Sequence, residues 1–88
     1  MSWLCDALEL NELTLYFMNG YTNPKETEES VEFRVNPIHK VDRVKVERTE
    51  TGYNITCYEK EEERSYFENV SKEDLPLVLE NGTGLAFS

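Results

Sequence analysis

The sequence has few of the residues on which catalytic and metal sites depend. It contains one histidine, His39, and two cysteines, Cys5 and Cys57, which are far apart in the chain. Zinc needs about four ligands at suitable spacing, so these three residues form no zinc motif. A general base needs a positioned partner, and no residue beside His39 supplies one. This scarcity predicts a protein with no catalytic residues, no metal and no cofactor.

Glycine and long apolar runs are also scarce. The four glycines form no phosphate-binding loop, and two cysteines are too few for the disulfide scaffold of a small secreted domain. No apolar run approaches the roughly 18–20 residues that span a bilayer, and the first residues lack the basic flank of a secretory signal. We therefore expect a cytoplasmic protein in which both cysteines are reduced and buried.

Basic residues are half as numerous as acidic ones, nine against eighteen, and the formal net charge is −9. A field of this sign repels nucleic-acid backbones and anionic membranes, and it attracts basic proteins. The negative charge therefore argues against direct binding to nucleic acid and against binding to membranes. It favours a basic protein partner, above all one that itself binds nucleic acid.

The 88 residues are enough for a single domain, residues 1–88. Residues 2–10 have helical spacing of apolar residues, with Ser2 as the cap. Apolar residues then alternate, which predicts a strand over 13–18; one continuous helix over 2–18 is the competing interpretation. A polar loop follows over 19–30, and alternation predicts strands at 31–35 and 41–48.

Thr49 to Gly52 fit a four-residue hairpin loop. Closing this hairpin with Arg48 opposite Tyr53 places the apolar residues of both strands on one face. A turn over 59–63, a strand over 64–70 and a helix that ends at Asn81–Gly82 complete the chain. The cap of that helix is either Ser71 or Asp74, and Pro76 predicts a late start. The tail over 83–88 has two apolar residues that can dock on the core.

The predicted fold is α+β, with a small antiparallel meander of four to five strands, a short N-terminal helix and a C-terminal helix. The predicted core has these members: Leu15, Phe17, Phe33, Val35, Val44, Val46, Ile55, Cys57, Leu75, Val78 and Leu79.

Two glutamate clusters are the candidate partner-binding residues. The first consists of Glu26, Glu28, Glu29 and Glu32, and the second of Glu59, Glu61, Glu62 and Glu63. Neither has the alternating Asp/Asn and glycine of a calcium loop, and a charge run is often only a solvated surface. We favour the second cluster because a tight turn holds its charges rigidly. An alternative interface is the outer sheet face with Arg43, Lys45 and Tyr58.

The function indicated is a non-catalytic inhibitor whose acidic surface imitates nucleic acid and blocks a basic protein. In size and charge alone, and through no motif, the chain resembles small virus-encoded inhibitors of bacterial defence nucleases, such as anti-CRISPR proteins. That resemblance implies a viral protein that acts in the host cytoplasm. The alternatives are an immunity or antitoxin-like protein that neutralises a basic toxin, and an accessory subunit or homodimer assembled through a strand edge.

Overall fold

The computed structural model describes residues 2–87, so Met1 and Ser88 lie outside it. Five antiparallel strands form one sheet in the order β1-β2-β3-β4-β5, as a meander with helices at both ends of the chain. The α+β prediction is therefore confirmed. The helices are α1 (Trp3–Leu8), α2 (Glu12–Asn19) and α3 (Leu75–Thr83). The strands are β1 (Thr22–Glu26), β2 (Ser30–Arg34), β3 (Arg43–Arg48), β4 (Tyr53–Glu59) and β5 (Glu62–Val70).

The hairpin of β3 and β4 has the predicted register. Arg48 pairs with Tyr53, Val46 pairs with Ile55, and Val44 pairs with Cys57. Thr49 closes the loop, because its backbone N–H and its hydroxyl both donate to the carbonyl of Gly52. The alternation of apolar residues is local information, so it determined this register without help from the rest of the fold.

All three helices pack on one face of the sheet. The core there combines Leu4 and Leu8 of α1, Leu15 of α2, and Leu75 and Leu79 of α3 with the inward side chains of the strands. The inward side chains of β2, β3 and β4 are Val31, Phe33, Val44, Val46, Ile55 and Cys57. Leu85 and Phe87 of the tail are buried as well. The predicted docking of the tail and the burial of both free cysteines are confirmed.

The strand predicted over 13–18 is wrong, and so is the continuous helix over 2–18. Glu9 takes a left-handed φ of 57° and ends α1. The side chain of Asn11 then accepts a hydrogen bond from the N–H of Thr14 (2.8 Å) and starts α2, which Gly20 ends at φ 76°. Phe17 is therefore exposed and not in the core. Caps at both ends and burial of Leu15 outweigh the weak strand propensity of Thr14, Tyr16 and Phe17.

Other element boundaries also differ. The loop expected over 19–30 contains β1, which pairs with β2. The turn predicted over 59–63 is only Lys60–Glu61, so Glu59 ends β4 while Glu62 and Glu63 begin β5. Helix α3 starts late, as Pro76 implied, but it continues through Asn81–Gly82 to Thr83. It ends there because Gly84 takes a left-handed φ of 74°. Val78 is half-buried.

Candidate protein-binding surfaces

The sheet face opposite the helices is open to solvent. Strand pairing places two rows of side chains across it, since directly paired residues share a face. One row is Lys25, Glu32, Lys45, Thr56 and Tyr66, and the other is Thr22, Arg34, Arg43, Tyr58 and Glu63. The two rows bring together residues from all five strands. We call this surface the open face.

Charge on the open face is divided. The side formed by β1, β2 and β3 has four cations, Lys25, Arg34, Arg43 and Lys45, against two carboxylates, Glu32 and Glu47. The side formed by β5 has carboxylates. The two signs of charge are therefore divided across one sheet face, and a partner that covers the whole face meets both signs.

Tyr66 lies on β5, where three carboxylates affect it electrostatically. Its pKa is raised because its hydroxyl loses part of its water contact, and because the negative charges of Glu68, Glu47 and Glu63 disfavour the tyrosinate. The ring remains about half exposed, at 47%. An exposed tyrosine among charged residues is typical of protein interfaces. We define the β5 acidic surface, which wraps around this edge of the sheet, as Glu47, Glu61, Glu62, Glu63 and Glu68 with Tyr66; Glu62 pairs with Glu59 and faces the other side of the sheet from Tyr66.

The turn between β4 and β5 displays the second glutamate cluster. Glu59 pairs with Glu62 across the ladder, and Glu59 also forms an ion pair with Arg64 at 2.6 Å. Glu61, Glu62 and Glu63 are exposed, and no ion pair within residues 2–87 includes them. One of the four predicted carboxylates is therefore neutralised, while three are presented to solvent from a tight hairpin.

The turn itself is strained. Lys60 has a φ of 49° and Glu61 a φ of 73°, so both take the left-handed conformation that two-residue hairpins require. This conformation costs a non-glycine residue about 1–2 kcal/mol, and Asn-Gly is the favoured pair. Such strain at an exposed position is a reason to look for a role of the side chains.

We expect the double substitution K60N/E61G to raise the free energy of unfolding by about 1 kcal/mol, because it removes this strain. Urea unfolding measures the effect, and K60A/E61A is the control, because alanine keeps the strain. An unchanged or lower midpoint for K60N/E61G would show that the turn is not strained.

The first glutamate cluster lies at the opposite end of the sheet and is partly neutralised. Glu32 forms an ion pair with Arg43 at 3.1 Å, and Lys25 is its cross-strand neighbour. The guanidinium of Arg48 donates to the main-chain carbonyl of Glu28. It also lies over the ring of Trp3, at 4.7 Å from the centroid. The structure therefore does not bring the two clusters together, and each cluster has one carboxylate in an ion pair.

The alternative patch of Arg43, Lys45 and Tyr58 also lies on the open face. The guanidinium of Arg43 lies 4.1 Å from the centroid of the Tyr58 ring. Because Arg43 contacts Glu32 as well, both of its interactions are cross-strand contacts that stabilise the sheet. Lys45 belongs to the neighbouring row.

Sequence reasoning missed a third surface, on α2. Leu13 is 65% exposed, Tyr16 51% and Phe17 75%, and the rings of Tyr16 and Phe17 make an edge contact with centroids 5.6 Å apart. We call these three residues the α2 apolar surface. Its signal in the sequence was the i, i+3, i+4 spacing between the Asn11 cap and Gly20, which is helical.

Residues suited to catalysis or metal binding do not converge. His39 lies in a short 3₁₀ turn, Pro37–His39, where it is exposed and its ring lies against Gly84. Within the described chain, no three His, Cys, Asp or Glu side chains are grouped to hold a metal ion. None of the helices formed by residues 2–87 has the length and apolarity needed to cross a membrane.

Comparisons of the chain with family models, with curated proteins and with solved structures found no match.

Proposed function

We propose that this protein is a non-catalytic binding module that inhibits a basic, nucleic-acid-handling protein. The β5 acidic surface contacts the partner and occupies the region where nucleic acid otherwise binds. The observation that carries the proposal is the open face of β5, where Glu63 lies on the same side as the exposed ring of Tyr66 and where the charges of Glu47, Glu63 and Glu68 act on that ring. This is the arrangement of an interface anchor with a charged rim.

Carboxylates on a rigid hairpin can replace phosphates electrostatically. Each glutamate has one negative charge, as each phosphate of a nucleic-acid backbone does. The backbone of β5 holds Glu62, Glu63 and Glu68 in place through its pairing with β4, so these charges bind without the entropy cost of fixing a loop. The small size and net charge of −9 support the same proposal, including a viral inhibitor of a bacterial defence nuclease.

The structure offers a matched pair of variants for the test. E61K/E62K/E63K changes the β5 acidic surface, and E26K/E28K/E29K changes the first cluster. Each triple reversal moves the net charge from −9 to −3, so the two variants differ only in the place of the change. All six side chains are exposed, and both variants are expected to fold.

The partner is first captured from host lysate, identified by mass spectrometry and purified. We expect a basic protein whose nucleic-acid binding is blocked by the wild type. We expect E61K/E62K/E63K to weaken the affinity by about 10- to 100-fold at low salt, mainly through slower association, and E26K/E28K/E29K by less than about threefold. Raising the salt from about 0.1 M to about 1 M shortens the Debye length from about 10 Å to about 3 Å and weakens wild-type binding. Equal losses for both variants, or no loss, would contradict the proposal.

A further inference from the structure

The α2 apolar surface is unusual in this acidic protein. Six large apolar or aromatic side chains are prominently exposed among residues 2–87, and three of them lie inside α2, over residues 13–17. The remaining three are Ile38, Tyr66 and Leu77. Single exposed apolar residues are normal, but a contiguous group on one helix face is typical of an interaction site. From the exposed fractions, the group presents roughly 350 Å² of surface.

Helix α2 is held firmly from its buried side. Leu15 and Asn19 are fully buried, and the amide of Asn19 donates to the carbonyl of Ala86 at 3.0 Å. The backbone N–H of Asn36 donates to the carbonyl of Asn19 at 2.8 Å. The exposed residues of α2 are therefore preorganised, which lowers the entropy cost of binding.

Tyr16 forms a ridge between two hollows. The larger hollow, of about 750 Å³, lies between Tyr16, Phe17 and the segment from Arg34 to Pro37, with Asp42 at its rim. The smaller one, of about 420 Å³, is lined by Glu12, Leu13, Tyr16, Tyr21 and Pro24. A ridge with a hollow on each side matches the surface of a helix, whose side chains form ridges and grooves.

The charges around α2 determine which helix fits. Residues 2–21 include Asp6, Glu9 and Glu12 and no basic residue. Glu12 and Asp42 line the two hollows, with Arg34 as the one cation. A second copy of the chain has the same net charge of −9 and the same carboxylates at this surface, and a dimer through the three exposed side chains would bury only about 700 Å², below the roughly 1,200 Å² of stable interfaces.

We propose that the α2 apolar surface docks a basic amphipathic helix of a partner protein. Apolar side chains of that helix enter the two hollows beside Tyr16, and its lysines or arginines contact Glu12 and Asp42. This inference shares with the proposed function only the basic character of the partner, because it concerns a different surface.

The test uses the full chain and three synthetic helical peptides, with ¹⁵N-labelled protein observed by NMR. The probe has leucines on one face and lysines on the other. One control peptide has the same composition in a scrambled order that removes the apolar stripe, and the other has glutamate in place of lysine. We expect the probe to shift the amide resonances of 12–20 and 34–36, with at least tenfold weaker binding of both controls.

The L13S/F17S variant identifies the contact. We expect it to weaken probe binding at least tenfold, while L77S, which removes an exposed leucine of α3, changes it less than twofold. Both variants remove exposed side chains, so unchanged unfolding midpoints are expected and verify that they fold. Equal effects of the two variants, or probe shifts confined to 59–68, would overturn the inference and leave the β5 acidic surface intact as the proposed site. Concentration-dependent dimers in sedimentation that L13S/F17S abolishes would make a second copy the occupant and also overturn it.

Discussion

Replacing Phe87 by alanine is expected to lower the free energy of unfolding by about 3–5 kcal/mol. Phe87 follows the last helix, yet its side chain is fully buried and its ring centroid lies 6.4 Å from that of Phe33 on β2. The substitution removes the aromatic ring and leaves a cavity between the tail and the sheet. Small domains have a total stability of about 5–15 kcal/mol, so this loss is a large fraction.

Urea unfolding followed by circular dichroism measures the effect of F87A. The matched control is A86S, because the side chain of Ala86 is exposed and only its carbonyl is used, as the acceptor for Asn19. We expect A86S to change the stability by less than about 0.5 kcal/mol. A similarly small effect of F87A would mean that the tail does not dock.

Leu15 and Phe17 are expected to respond oppositely to truncation. L15A should cost about 2–5 kcal/mol, because Leu15 is fully buried between α2 and the sheet. F17A should cost less than about 0.5 kcal/mol, because Phe17 is 75% exposed. A strand over 13–18 places both side chains on one face, so it predicts similar costs. Comparable losses for the two variants in urea unfolding would therefore contradict α2.

The strand edges bear on the homodimer considered from the sequence. The ladder between β4 and β5 shifts register twice, and Asn69 takes a left-handed φ of 58°. At the other edge, β1 contains Pro24 and a register shift between Thr22 and Lys25. Bulges, proline and charge on an edge strand oppose pairing with another chain. Because both edges are poorly suited to strand pairing, we expect a partner to bind to the β5 acidic surface or the α2 apolar surface and not to a strand edge.

The two halves of the open face constrain how the proposed basic partner would approach. Arg34, Arg43 and Lys45 repel a cationic surface, whereas Glu63 and Glu68 attract it. A basic partner is therefore expected to approach from the β5 side of the sheet, which displays the three exposed carboxylates of the 59–63 cluster. The cations of β2 and β3 would then disfavour complexes in which the basic surface of the partner faces these strands, because like charges in contact repel each other.

The sequence by itself determined the features that depend on neighbouring residues. The alternation of Val44 and Val46 with charged residues, and that of Ile55 and Cys57 beyond the loop, permits one register that buries both sets. The meander, the core of β2 to β4 and the late start of α3 at Pro76 follow from the same local information. Net charge is independent of the fold, so the expectation of a basic partner needed no structure.

Only the tertiary structure decided which secondary structure residues 12–19 form and which carboxylates are outside ion pairs. The pattern of Leu13, Leu15 and Phe17 fits both a strand and a helix, and burial of Leu15 against the sheet selects the helix. The α2 apolar surface could not be predicted from a strand, because a strand does not place Leu13, Tyr16 and Phe17 on one face. Each glutamate cluster has one member in an ion pair, Glu32 with Arg43 and Glu59 with Arg64, and no ion pair within residues 2–87 includes the other six carboxylates. Which carboxylates are paired depends on the side chains that neighbouring strands bring together.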